Sequence, residues 1–222
     1  MSATSPVAAP PTRRPEAALE AVRAGRADMD IVEEAAQGCR ACELWARATQ
    51  TVFGEGPVPA SLMLVGEEPG DREDLEGEPF VGPAGAVLAR ALEAAGIDRE
   101  RAFVTNVVKH FKWRPAGKRR LHERPSKAEV GACLPWAETE LALVKPQALV
   151  LLGATAAAAL AGPGVSVMRD RGRPLDLPLA PLVMATVHPS SILRAGDRRE
   201  AAYEAFVRDL RIVAQWLGRH AA

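Results

Sequence analysis

Residues 61–71 read SLMLVGEEPGD: an apolar run, Ser61 to Gly66, that breaks abruptly into acid and proline. A Gly/Pro-rich link, GEGPVP, precedes it, so the run is a short strand bounded by turn residues. The loop that follows, EEPGDREDLEGEPFVGPAG, leads into a helical pattern through Val87, Leu88, Ala91 and Leu92, with Gly96 suited to end it. Downstream the alternation repeats. Ala102 to Val108 is a second strand. Ser126 and Glu129 have capping-box spacing for a helix to about Val144, which Pro146 closes. Gln147 to Leu152, rich in Val and Leu, is a third strand buried on both faces, and Gly153 opens an Ala-rich helix. Leu182 to Val187 is a fourth strand, ending at His188-Pro189-Ser190-Ser191. A last helix, roughly Arg198 to Leu217, carries Tyr203, Phe206, Leu210, Val213 and Trp216 at helical spacing. Upstream, Pro15 to Gln37 fits one or two short helices. This order predicts an α/β fold, a three-layer α/β/α sandwich around a four-stranded, mostly parallel sheet. Ligands of such sheets gather beyond the carboxyl ends of the strands, where Glu67, Asn106 and His188 fall.

Composition narrows the function classes. The chain has 222 residues, 48% hydrophobic and 25% charged, which suits one globular domain over 16–222. Residues 1–15, rich in Pro, Ala, Ser and Thr, read as a disordered tail. The longest mainly apolar run, Ala148 to Gly162, falls short of a membrane span, so no membrane partner is expected. No continuous apolar h-region marks the start, and a cytoplasmic location is expected. Three cysteines cannot close a disulfide set, which favours metal or redox chemistry. The 28 basic and 28 acidic side chains argue against non-specific coating of nucleic acid and leave local patches open.

The chemistry-bearing residues fall in a few segments. Cys39-x-x-Cys42, with Cys133 far along the chain, suits zinc or an iron–sulfur cluster; a redox dithiol or buried apolar cysteines would look similar. His110 is a candidate fourth ligand, or equally a surface residue at the edge of a basic loop. The GEEPGD loop lacks the Lys, Ser/Thr and glycine spacing of phosphate-binding loops. It instead concentrates Glu67, Glu68, Asp71, Glu73 and Asp74, carboxylates that could stabilise a cationic sugar or simply be solvated. Phe80 could stack on a planar ring or fill the core, and Asn106 could read a pyrimidine edge or cap a strand. From Lys109 to Lys127 there are eight Lys/Arg and one acid, Glu123, with Phe111 and Trp113 interleaved. That composition suits phosphate contact and base stacking, or a solvated charged loop. The His188-Pro-Ser-Ser turn, with Ser190, could hold phosphate or cap a helix.

Taken in order, Cys39-x-x-Cys42, GEEPGDREDLEGEPFVGPAG, VTNVVK and MATVHPSSIL resemble the motifs of the uracil-DNA glycosylase superfamily, specifically its iron–sulfur family 4. The resemblance spans roughly Gly38 to Leu217. Two departures, His110 where family 4 has cysteine and the loop Lys118-Arg119-Arg120-Leu121-His122, resemble the UdgX subgroup. The resemblance implies a 4Fe–4S cluster on Cys39, Cys42, His110 and Cys133. It implies a monomer acting on uracil-containing DNA, single strands preferred, with uracil released and a covalent bond formed between His122 and the abasic-site C1′. On it, Glu67 and Asp71 support charge development and orient His122, and His188 approaches the uracil oxygen. Phe80 stacks the base, Asn106 reads its edge, and Arg120 positions the loop or contacts phosphate. Glu68 stands where the subgroup usually has Gln. A turning-over hydrolytic family 4 enzyme is the alternative, and a non-catalytic iron–sulfur DNA-binding protein the second.

Overall fold

The computed structural model describes residues 14–220. The tail expected over 1–15 lies outside the described residues for 1–13. Two short helices come first, α1 (Pro15–Arg23) and α2 (Met29–Gln37), the second capped by the Asp28 carboxylate accepting from the Ile31 N–H. β1 (Leu62–Gly66) is followed by α3 (Asp71–Glu76), a helical turn inside what the sequence reads as a loop, and by α4 (Pro83–Ala95). β2 (Ala102–Asn106) ends two residues before the predicted strand does.

The basic stretch is the largest departure from expectation. It folds as a two-stranded antiparallel hairpin, β3 (Trp113–Ala116) and β4 (Arg119–His122), turning at Gly117 and Lys118. Its residues are mostly exposed or half-buried, so it carries no apolar alternation by which the sequence would betray it. Then follow α5 (Lys127–Val144), β5 (Ala148–Leu152), α6 (Ala154–Leu160), α7 (Val167–Asp170), β6 (Pro174–Leu175), β7 (Leu182–Thr186), α8 (Pro189–Leu193) and α9 (Arg199–Arg219). The capping box at α5 forms as its spacing predicts, with the Ser126 hydroxyl accepting from the Glu129 N–H and the Glu129 carboxylate from the Ser126 N–H.

The main sheet has five strands, not four, in the order β2-β1-β5-β7-β6. The extra strand is the two-residue β6, antiparallel to β7 at one edge and too short to leave a periodic signal. The other four are parallel, and each is buried along its whole length. Their side chains alternate between two cores. Met63, Val65, Leu149 and Leu151 pack with α2, α5 and α6, while Leu62, Leu64, Val150 and Leu152 pack with α4 and α9. Full burial contributes about 2 kcal/mol for each such leucine. The α/β/α sandwich is thus observed, and it determines where a ligand can sit. The chain leaves β1 toward β2 on one side and returns to β5 on the other, so the crevice at the carboxyl ends of β1 and β5 is the switch point of the sheet.

Candidate active site

Four residues from separate elements meet at that crevice. Gly66 ends β1, and a Cβ there would overlap Asn106 Oδ1 and lie 2.8 Å from Phe80 Cζ and 3.4 Å from His188 Nε2. Asn106, Phe80 and His188 therefore converge on a bare patch of backbone that only glycine leaves open. Asn106 is buried and its Oδ1 has no hydrogen-bond partner. An orphaned acceptor of this kind costs about 1–3 kcal/mol unless a ligand donates to it. Phe80 holds a left-handed φ of 61°, which a bulky residue rarely adopts. Gly85 permits it, because a side chain there would overlap the Phe80 carbonyl. The rings of Phe80 and His188 stack with centroids 6.1 Å apart.

His188 is a neutral imidazole of defined tautomer. The Ser190 N–H donates to Nδ1 at 3.2 Å, and the Ser190 hydroxyl lies 2.8 Å from the same nitrogen. The proton therefore sits on Nε2, the nitrogen that faces Gly66. Burial, with the charges of Arg194 and His122, holds the His188 pKa down to about 4. Ser190 thus orients His188, which itself caps α8, rather than standing free as a phosphate ligand.

The mouth of the crevice belongs to the hairpin. His122 ends β4 half-exposed, with its Nε2 2.8 Å from Glu68 Oε1 and 3.9 Å from Glu67 Oε1. The Glu68 side chain is fully buried, and burial pushes its carboxyl up to about 7 even with the imidazole beside it. The approach of Nε2 is close but off the direction of a well-formed hydrogen bond, and both Glu68 oxygens lack one. Glu68 in turn raises the His122 pKa. Glu67 is steadied from its other side by the Thr155 hydroxyl and by Arg124 Nε at 3.5 Å.

Arg120 fixes the hairpin to α3. Its Nε donates to Asp71 Oδ1 at 2.5 Å, its Nη1 to Asp74 Oδ2 at 2.6 Å, and its Nη2 to the Asp71 carbonyl at 3.1 Å. Phe111 and Trp113 lie 5.3 Å and 5.5 Å from its guanidinium. Every strong donor of Arg120 is thus engaged inside the protein, which makes it a loop-positioning residue. Asp71 grips Arg120 and not His122, so the carboxylates oriented on His122 are Glu67 and Glu68. Thr155, Arg124 and Gly85 are site-supporting residues that sequence reasoning missed, and Asp74, named there only among the loop carboxylates, is the second partner of Arg120. Only Asp74 had a usable signal, three residues after Asp71 and so on the same face of a helical turn.

The three cysteines gather on the far side of the sheet core, around α5. Cys39 and Cys133 are buried in one apolar cluster, with Cys42 packed against it. The Lys109 N–H donates to Cys133 Sγ and the Trp136 Nε1–H to Cys39 Sγ, each at 3.2 Å. Burial together with the neighbouring Cys39 raises the Cys42 pKa, and burial, with Cys42 and Cys39 beside it, pushes Cys133 up to about 12. His110 is buried, next in sequence to Lys109, whose N–H meets Cys133. Thr51 donates its one hydroxyl proton to the Ala36 carbonyl, so Thr51 Oγ1 accepts from His110 Nε2 at 3.1 Å. That leaves Nδ1 as the lone-pair nitrogen, buried and without a partner. Among the described residues no three His, Cys, Asp or Glu side chains are arranged to hold a single metal ion. A polynuclear cluster takes each thiolate on a different iron and needs its ligands more widely spread. The donor set, three thiols and one orphaned imidazole nitrogen in an apolar shell with N–H donors to sulfur, fits such a cluster.

A doubly covered parallel sheet with Asn106, Phe80 and a neutral His188 converging over Gly66 at its switch point defines an α/β protein with a ligand site at the carboxyl edge of its sheet. Comparison narrows the class. The model of the uracil DNA glycosylase superfamily matches residues 53–211, and this chain belongs to that superfamily. It is 39% identical over 167 residues to the type-4 uracil-DNA glycosylase of Thermotoga maritima, covering 75% of this chain and 83% of the relative. To the type-4 uracil-DNA glycosylase of Archaeoglobus fulgidus it is 34% identical over 178 residues, covering 77% and 85%. Among the described residues no helix is long and apolar enough to cross a membrane.

Proposed function

We propose that this protein excises uracil from DNA, single strands preferred, and that His122 then captures the sugar C1′ in a covalent bond. Excision is supported by superfamily membership together with the niche over Gly66. The observation that carries the capture reading is His122 Nε2, held at the mouth of that niche beside Glu67 and Glu68 by a hairpin that Arg120 pins in place.

The residues act in sequence as follows. The flipped base enters the niche against Phe80. Asn106 Oδ1 accepts from the uracil N3–H, an interaction that repairs its orphaned state. As the C1′–N1 bond breaks, its electron pair passes to uracil, and His188 Nε2–H donates to the oxygen on which that charge collects. The low pKa of His188 keeps it a hydrogen-bond donor rather than a cation. The sugar becomes oxocarbenium-like, and the Glu67 carboxylate, oriented by Thr155 and Arg124, stabilises it. Neutral His122 then supplies a lone pair to C1′, and its fixed position gives it a high effective molarity over water. The resulting C–N bond has no evident hydrolytic route, so one protein molecule is consumed per lesion.

Cys39, Cys42, His110 and Cys133 would hold a 4Fe–4S cluster. When bound, it supplies a rigid cross-link between the N-terminal segment, the residues after β2 and α5, with no electron demanded by the chemistry above. Purified protein is expected to be yellow-brown and to contain iron; a colourless, zinc-loaded sample would contradict this ligand set.

The central test is a denaturing gel of wild type and His122→Ser with uracil-containing single-stranded DNA. Wild type should give a band shift that survives SDS and heat, and His122→Ser should give free abasic DNA instead. Multiple turnovers by wild type without a shifted band would favour the hydrolytic alternative. DNA association without uracil release would favour a non-catalytic role.

A further inference from the structure

Glu68 is a buried acid placed against the one nitrogen that the capture reading needs. Its side chain has no exposed surface, its Oε1 is 2.8 Å from His122 Nε2, and neither oxygen has a well-formed hydrogen bond elsewhere. While that contact is closed, the Nε2 edge of the ring is packed against the buried Glu68 carboxyl, whether Nε2 carries a proton or a lone pair. In neither state can it attack a carbon. We infer that Glu68 is a proton-holding gate on His122: it holds a proton on Nε2, and capture begins only when that proton is lost and the contact opens toward the sugar. The inference rests on His122 being the capturing nucleophile.

The step balances. The imidazolium Nε2 gives up its proton, to the Glu68 carboxylate or, as pH rises, to solvent, leaving a neutral imidazole with its remaining proton on Nδ1. The Nε2 lone pair forms the bond to C1′, the C1′–N1 pair departs with uracil, and the alkylated ring carries the positive charge. The groups facing this pair come from several elements. Glu67, next to Glu68, favours a charged His122 and a protonated Glu68. Arg194, at the end of α8, opposes charge on His122 and on His188. The main-chain N–H of Lys112 favours the Glu68 carboxylate. Burial keeps the acid form of Glu68 accessible near neutrality, which an exposed glutamate would not offer. An amide at this position could not exchange a proton at all.

The experiment compares wild type with Glu68→Gln, nearly identical in shape. Single-turnover adduct formation on uracil-containing single-stranded DNA is followed on denaturing gels from pH 5.5 to 9, with uracil release read in parallel. The His122 ring is titrated by NMR in both DNA-free proteins. In wild type, adduct formation should rise with pH through a midpoint above 6.5, the ordinary imidazole value. In Glu68→Gln the midpoint should fall by about one unit, so that at pH 6 the variant reaches about three- to tenfold more of its plateau rate. The His122 titration should move the same way. Coincident kinetic midpoints, or an unmoved His122 titration, would overturn the gate. No adduct in wild type at any pH would overturn capture and the gate's chemical role together. A shifted NMR midpoint in that event would show that capture had failed rather than the Glu68–His122 contact.

Discussion

Asn106, Phe80 and His188 crowd over Gly66 at the ends of buried parallel strands, whereas His122 stands on a two-stranded hairpin outside that sheet. The first group is held by backbone: strand register, a glycine that must lack a side chain, a strained φ at Phe80, and a cap at His188. The second is held by side chains, chiefly the fork of Arg120 on Asp71 and Asp74. On the proposed function, a site built this way separates reading the base from acting on the sugar. The reading half is fixed by folding itself, and the acting half can be altered without disturbing the sheet.

That separation can be broken by mutation. The largest effect is expected for Gly85→Ala, whose methyl would overlap the Phe80 carbonyl. It should destabilise the fold by about 3 kcal/mol or more in denaturant unfolding and remove uracil release with it. Next, Asn106→Ala should cut uracil release by roughly 10²–10³-fold with the fold intact, since a buried polar contact aimed at the base is lost. An Asn106→Ala rate near wild type would show that another group reads the edge. Arg120→Ala should change stability little but lower adduct formation about 10- to 100-fold while uracil release stays within a few-fold. Equal losses in both rates would mean that hairpin and floor act as one unit.

The smallest effect concerns Glu68 and stability. Its folded pKa, about 7, lies above the ordinary 4.5, so its contribution is fully present below pH 4.5 and is lost as pH rises through 7. Glu68→Gln should therefore be more stable than wild type at pH 8, by about 3 kcal/mol, and nearly equal to it at pH 4.5. Urea unfolding at the two pH values checks this, and a difference independent of pH would contradict the burial of the carboxyl.

The strands, the long helices and the residues at strand ends were legible because burial on both faces imposes unbroken apolar runs, and turns impose Gly and Pro. Asn106 and His188 could be located from the ends of such runs. The hairpin was not legible, because its strands, WRPA and RRLH, carry charge on both faces and bury no stripe. Two-residue β6 was invisible for want of length. Arg120 as an internal clamp, and Glu68 rather than Asp71 against His122, are contacts across 46 to 54 residues of chain. No local pattern encodes a choice among five neighbouring carboxylates.

The sequence alone determined the layered parallel sheet, the position of the site at its carboxyl edge and the types of side chain available there, since each follows from local periodicity and chain order. The tertiary structure decided which of those side chains face one another. It made His188 a neutral donor, left Asn106 and His110 each with an orphaned atom, and set a buried glutamate against His122. Desolvation and hydrogen-bond supply are properties of the assembled surroundings, and a residue acquires them only when distant segments close around it.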